Sequence, residues 1–147
     1  MPHPPSVVSA LVVNARAEER RMLRGIFART QWRWHSVASI AEAMSWMAQR
    51  GSPQVMICDQ NLPDGSWRLL FEQTEILPRA PKFIVSSRVA DDYLWAEVLN
   101  LGGHDVLATP FDQSEVARVV GSAVESWKWS WESERPPLQM AAPAGPC

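Results

Sequence analysis

Gln54-Val55-Met56-Ile57-Cys58-Asp59-Gln60-Asn61-Leu62-Pro63-Asp64-Gly65 is an apolar run that ends in a carboxylate and then a turn. Val55 to Cys58 have the strand preference or burial tendency of a strand covered on both faces, and Pro63-Asp64-Gly65 carries turn chemistry. Asp59 is therefore expected at the carboxyl edge of a parallel sheet, the edge where open α/β sheets bind ligands. Taken alone it also reads as a turn cap, since Asp hydrogen-bonds its own backbone.

On the N-terminal side, Val7 to Val13 is another buried strand, stopping at Asn14-Ala15. From Ala17 to Thr30 the apolar positions Leu23, Ile26 and Phe27 share one helical face, with Glu18, Glu19, Arg20, Arg21, Arg24 and Arg29 expected in solvent. Trp32 to Val37 suits an edge strand. Ser39-Ile40-Ala41-Glu42 is a capping box opening a helix that keeps its apolar spacing up to Gly51. On the C-terminal side, Trp67, Leu70, Phe71 and Thr74 mark a helix ending before Pro78, and Lys82 to Ser86 is a strand. Leu94, Val98 and Leu101 are the apolar face of the next helix, closed by Gly102-Gly103, and Asp105 to Ala108 is a short strand. Asp112 to Trp127 is a helix with an unbroken stripe from Val116 to Trp127, N-capped by Asp112 with Glu115 completing the box.

This alternation predicts an α/β protein, a flavodoxin-like (βα)5 doubly wound parallel sheet of strand order 2-1-3-4-5. Its switch point lies between the first and third strands, which Asn14 and Asp59 end. One domain is expected over 7–132, between a disordered N-terminus at 1–6 and a disordered Pro/Ala/Gly-rich tail at 133–147.

With 147 residues, 46% of them hydrophobic, the chain has the size of one domain with one substantial core. A net charge of −2 and a pI near 5.9 provide no basic field for nucleic acid or an anionic membrane. No segment approaches the roughly 20 apolar residues of a membrane span, and Met1 to Pro5 lacks the features of a secretory signal. Cys58 and Cys147 read as free thiols, which suits a reducing, cytoplasmic compartment.

Ser86, His104 and Asp59 have the residue types of a hydrolytic triad, but nothing in the spacing brings His104 to Ser86, and no enzyme is expected. The loop Asn14 to Glu18 lacks the Gly/Ser/Thr character of a flavin phosphate cradle, and His3 and His35 show no ligand spacing. Trp127, Trp129 and Trp131 are either a core edge or a docking and homodimer surface, with Trp127 and Trp131 on the same helical face.

The motifs Asp59-Gln60-Asn61-Leu62-Pro63-Asp64-Gly65, Phe83-Ile84-Val85-Ser86-Ser87-Arg88 and Leu101-Gly102-Gly103-His104-Asp105-Val106-Leu107-Ala108-Thr109-Pro110-Phe111, in this order on these elements, resemble the receiver domain of two-component response regulators. The resemblance covers about Ser9 to Glu132. It implies that Asp59 is the phosphoacceptor position, that Ser86 is the hydroxyl that follows the phosphoryl group, and that the Asn61 backbone carbonyl stands at a Mg²⁺ position. It also implies a cis Thr109-Pro110 bond, and partners that are a histidine kinase or phosphotransfer protein and other signalling proteins docking on helix 4, strand 5 and helix 5.

Three parts of the family pattern are missing. Asn14 and Ala15 replace the acidic pair, Thr109 replaces the Lys, and Val106 replaces the aromatic that rotates with the hydroxyl residue. A Mg²⁺ site of Asn14, Asp59 and Asn61 is then weak or absent, because Mg²⁺ prefers charged oxygens. Losing the cations also removes most of the electrostatic support for phosphoryl transfer. Arg16 and Arg88 are either solvated or turned to Asp59 or a phosphoryl oxygen. The expected function is a stand-alone receiver-like signalling domain, a pseudo-receiver acting by protein contacts; the alternative is a regulator phosphorylated on Asp59 by a histidine kinase.

Overall fold

The computed structural model describes residues 9–134, with side chains as far as Ser130. Counting strands of the main sheet only, the order is β1 Ser9–Val13, α1 Ala17–Phe27, β2 Arg33–Val37, α2 Ile40–Arg50, β3 Val55–Asp59, α3 Trp67–Glu75, β4 Lys82–Ser87, α4 Asp92–Leu101, β5 Asp105–Ala108 and α5 Gln113–Glu134. All pairings in this sheet are parallel and the strand order is β2-β1-β3-β4-β5, as expected. The turn after β3 closes as a small hairpin, Asn61–Leu62 against Gly65–Ser66.

Alternation along the strands divides the core between two faces. Ala10, Val12, Val55, Ile57 and Ile84 pack with Leu23, Ile26 and Phe27 of α1 and with Val116, Val119, Val120 and Ala123 of α5. Leu11, Val13, Met56, Cys58, Phe83 and Val85 pack with residues of α2, α3 and α4, including Ala43, Met47, Trp67, Leu70, Phe71, Leu94 and Val98. β2 alternates exposed and partly buried residues, as an edge strand should.

The starts of α2 and α5 are capped by the residues their sequences imply, whereas α1 and α3 have no side-chain cap. Ser39 Oγ accepts from Glu42 N–H at 3.1 Å, while Glu42 Oε1 reaches back to Ala38 N–H at 2.9 Å. Asp64 of the hairpin adds a cap from outside the helix, its two oxygens accepting from Ile40 N–H at 2.9 Å and Ala41 N–H at 3.0 Å. These hydrogen bonds hold its carboxyl below the ordinary value. Asp112 Oδ2 accepts from Glu115 N–H at 2.9 Å.

Some boundaries differ from expectation. α1 ends at Phe27 rather than Thr30, because the Thr30 hydroxyl and N–H both turn back onto the Phe27 carbonyl. Leu101 is exposed, since α4 buries only Leu94 and Val98. α5 runs on past Trp127 to Glu134, into the segment expected as tail. The proposed disordered N-terminus 1–6, Val7 and Val8, and the remaining tail with Cys147 lie outside the described residues. Among the described residues no helix is long and apolar enough to cross a membrane.

Candidate functional site

The carboxyl edge gathers Asn14, Asp59, Ser86 and Thr109. Val13 pairs with Cys58, so the next residues, Asn14 and Asp59, leave the sheet side by side. Asp59 is in register with Ser86, and Thr109 follows β5, its N–H donating to the Ser87 carbonyl at 3.0 Å before a cis Thr109-Pro110 bond.

Asp59 is 8% exposed. Its Oδ1 accepts from Gln60 N–H at 3.0 Å, and that N–H also reaches the Ser86 carbonyl at 2.8 Å. Burial pushes the Asp59 carboxyl above the ordinary carboxylate value, and the charge of Glu19 pushes the same way. The Gln60 N–H, Arg16 and Arg88 pull it back.

Glu19 corrects the sequence reading, which placed it in solvent: it is 5% exposed. Its Oε1 accepts from Asn14 Nδ2 at 2.9 Å and its Oε2 from Arg88 Nε at 3.1 Å, with Arg16 Nε at 3.9 Å from the same oxygen. The signal was available, because Glu19 precedes Leu23 by four residues and Ile26 by seven, on the buried face of α1. Arg88 therefore ion-pairs with Glu19, and neither it nor Arg16 hydrogen-bonds Asp59.

Asn14 is hydrogen-bonded at both ends of its amide and at its backbone carbonyl. Its Oδ1 accepts from Arg16 N–H at 2.8 Å, its Nδ2 serves Glu19, and its carbonyl accepts from Arg20 Nη1 at 2.6 Å. Asn61 lies in the hairpin, exposed and paired with Ser66. The Ser86 and Thr109 hydroxyl oxygens are both buried and have no hydrogen-bond partner among the described residues. Ser87, which the sequence reading left without a role, donates to Gln60 Oε1 at 2.6 Å and accepts from Val89 N–H at 3.0 Å, tying the β4 loop to the β3 loop.

A cleft of about 310 Å³ opens at this edge, lined by Glu18, Glu19, Met22, Arg88, Thr109 and Pro110. Val106 is packed into the core beneath α4. His104 lies within 3.2 Å of Ser122 Oγ rather than near Ser86, and burial lowers its pKa. Among the described residues no group of three or more His, Cys, Asp or Glu side chains forms a metal-ligand cluster.

At the face made by α4, β5 and α5, a second cleft of about 400 Å³ is lined by Asp91, Asp92, Trp95, Asp105, Glu115 and Arg118 among others. Trp95 is half exposed, with its Nε1–H donating to Asp105 Oδ1 at 3.3 Å; Tyr93, also exposed on α4, lines a different cleft with Arg68 and Glu97. Trp127 is buried as part of the core edge and Trp129 is exposed, while the Trp131 side chain lies outside the described residues.

Fold and edge together define a flavodoxin-like α/β domain with a buried carboxylate at the switch point of its sheet. No family model and no curated protein matches the chain. Solved structures do. It is similar to the response regulator receiver domain (CheY-like) from Methylobacillus flagellatus, at 26% identity and a TM-score of 0.71 over 80% of this chain and 99% of that one. It is also similar to the signal receiver domain of an HD domain-containing protein from Pseudomonas fluorescens, at 19% identity and a TM-score of 0.78 over 90% and 97%. A response regulator receiver domain protein from Clostridium thermocellum matches at 16% identity and a TM-score of 0.74 over 84% and 98%. The chain has the receiver-domain fold of response regulators.

Proposed function

We propose that this chain is a receiver-like signalling domain of a two-component pathway, not an enzyme, that works in the cytoplasm through protein contacts and does not depend on Mg²⁺. The observation that carries the reading is the state of Asn14: a neutral amide stands where a carboxylate would bind the ion, and both its ends are turned to groups of the chain, Arg16 N–H and Glu19. Mg²⁺ demands octahedral oxygen ligands at about 2.0–2.1 Å. The residues as arranged do not fit it, because Asn14 brings a neutral amide oxygen already turned to Arg16 N–H and the Glu19 carboxylate is paired with a guanidinium. Thr109 at the Lys position offers no cation for a transferring phosphoryl group, whose chemistry rests on charge neutralisation.

Output would pass through the face of α4, β5 and α5. Four carboxylates there, Asp91, Asp92, Asp105 and Glu115, face one cation, Arg118, around the half-exposed Trp95. The complementary partner is a signalling protein presenting Arg or Lys side chains, which pair with the carboxylates and stack on the indole.

A phospho-acceptor role is the second reading, and one observation favours it: the Ser86 hydroxyl is buried, unpartnered and in register with Asp59, where it is available to an oxygen ligand. The two readings separate on incubation with a small-molecule phosphodonor, or with a cognate kinase, with and without Mg²⁺. The binding-module reading expects no mass gain. A gain that disappears in D59N establishes the acceptor instead.

A further inference from the structure

At the edge of the sheet opposite Asp59, an open cavity of about 670 Å³ is walled by the first residues of β1 and β2 and by the second half of α2. The strands of the main sheet are all parallel, so this amino edge lies a full strand, roughly 15 Å at about 3.3 Å per residue, from the carboxylate that ends β3. Alternation puts Arg33, His35 and Val37 of β2 on one face, the one where Val37 packs with Ala43 and Met47 of α2. His35 accordingly stacks on Trp46 of α2, with ring centroids 5.6 Å and planes 18° apart. Arg50, in the last turn of the same helix, joins the wall.

The lining is one-sided in charge. Arg33 and Arg50 are both exposed, and neither has a salt bridge or a side-chain hydrogen bond among the described residues. No carboxylate lines the cavity, and residues 1–8, which lead into it at Ser9, contain no Asp or Glu. Two guanidiniums without a counter-ion from the chain present their forks to an anion, and that fork matches phosphate oxygens bidentately. The rest of the chemistry is aromatic: the Trp46 indole is partly buried, and its Nε1–H is a buried donor with no acceptor among the described residues. The volume is that of a pocket for a small organic molecule and far exceeds what an inorganic ion fills. An anion that carries a flat ring with a hydrogen-bond acceptor fits all of these features.

We infer that this amino-edge cavity binds a nucleoside phosphate, with Arg33 and Arg50 on the phosphate oxygens and the base stacked on the Trp46 indole. His35, whose ring has no hydrogen bond among the described residues, yields its place on the indole to the base and so bares Nε1–H to a ring acceptor. The site shares no residue with the Asp59 edge, so it stands whichever way phosphorylation of Asp59 turns out.

The test is isothermal titration calorimetry of the full chain with ADP and with GDP, against inorganic phosphate, ribose 5-phosphate and adenosine. The variants are R33Q, R50Q, W46L and the control R24Q, whose residue is exposed on α1 and does not line the cavity. Circular dichroism verifies folding, and the exposed Arg33 and Arg50 carry the test if W46L misfolds. Wild type is expected to bind at least one of the diphosphates, and R33Q and R50Q each to weaken it about tenfold, the loss of one charge-assisted contact. Ribose 5-phosphate and adenosine, each bringing half of the contacts, bind more weakly. W46L weakens the diphosphate about tenfold through lost stacking and leaves the ribose 5-phosphate affinity unchanged. Absence of diphosphate binding up to millimolar concentration overturns the inference. So does inorganic phosphate binding as tightly as the diphosphate, a folded W46L with undiminished affinity, or a loss in R24Q equal to that in R33Q.

Discussion

Glu19 Oε2 accepts the Nε–H of Arg88 at 3.1 Å although 69 residues separate them. The contact ties the loop after β4 to the first turn of α1. It has two unequal partners: the carboxylate is buried, and the guanidinium is more than half exposed.

That inequality predicts unequal costs. Glu19→Ala leaves the buried Asn14 Nδ2 without its acceptor and should lower stability by about 1–3 kcal/mol. Arg88→Lys keeps a cation for the buried Glu19 and changes only the more exposed partner, so it should cost no more than about 1 kcal/mol. Urea denaturation of both variants checks the order; the reverse order contradicts the burial of Glu19.

The Asp59 carboxyl is raised by burial first and by Glu19 second. Its folded-state pKa lies above the unfolded value of 3.8, so the folded chain binds the extra proton between the two values and loses stability as pH rises through them. Asp59→Asn keeps an acceptor for Gln60 N–H without the charge. It should be more stable than wild type at pH 7, and the difference should vanish below about pH 3.8, as denaturation curves at both pH values will show.

Asp64 behaves with the opposite sign. The Ile40 and Ala41 N–H groups lower its pKa, so its contribution is complete above the unfolded value of 3.8 and is lost as pH falls through the folded one. Asp64→Ala should lower the melting temperature at pH 7 and bring faster amide exchange at Ile40 and Ala41, with the melting difference shrinking in acid.

Gly103 sits where a Cβ would come within 2.5 Å of Val98 Cγ1 and 3.0 Å of the Val98 carbonyl oxygen. Just before it, Gly102 closes α4 at φ +106°. Gly103→Ala should cost about 1–3 kcal/mol through overpacking, read as a fall in the denaturation midpoint.

The fold was legible because the buried strands are nearly continuous apolar runs and helical periodicity falls between them; strand order then follows from crossover handedness. Asn14, Asp59, Ser86 and Thr109 were legible as well, because position along a strand determines which residue reaches the edge. The partners of these residues were not. Glu19 sits in a run of charged residues, where composition argues for solvent, and it is satisfied in the interior by Asn14 on one oxygen and by Arg88, arriving from the far side of the chain, on the other. The cap that Asp64 gives to α2 is hidden for the same reason: it joins residues 24 apart that only the folded sheet brings together.

The most direct test of the account is a crystal structure of the chain grown with Mn²⁺ and beryllofluoride, with the metal located by its anomalous signal. The account predicts no metal at Asp59 and Arg88 still hydrogen-bonded to Glu19. A Mn²⁺ ion coordinated by Asp59, with beryllofluoride on its carboxylate and Arg88 displaced from Glu19, would contradict it.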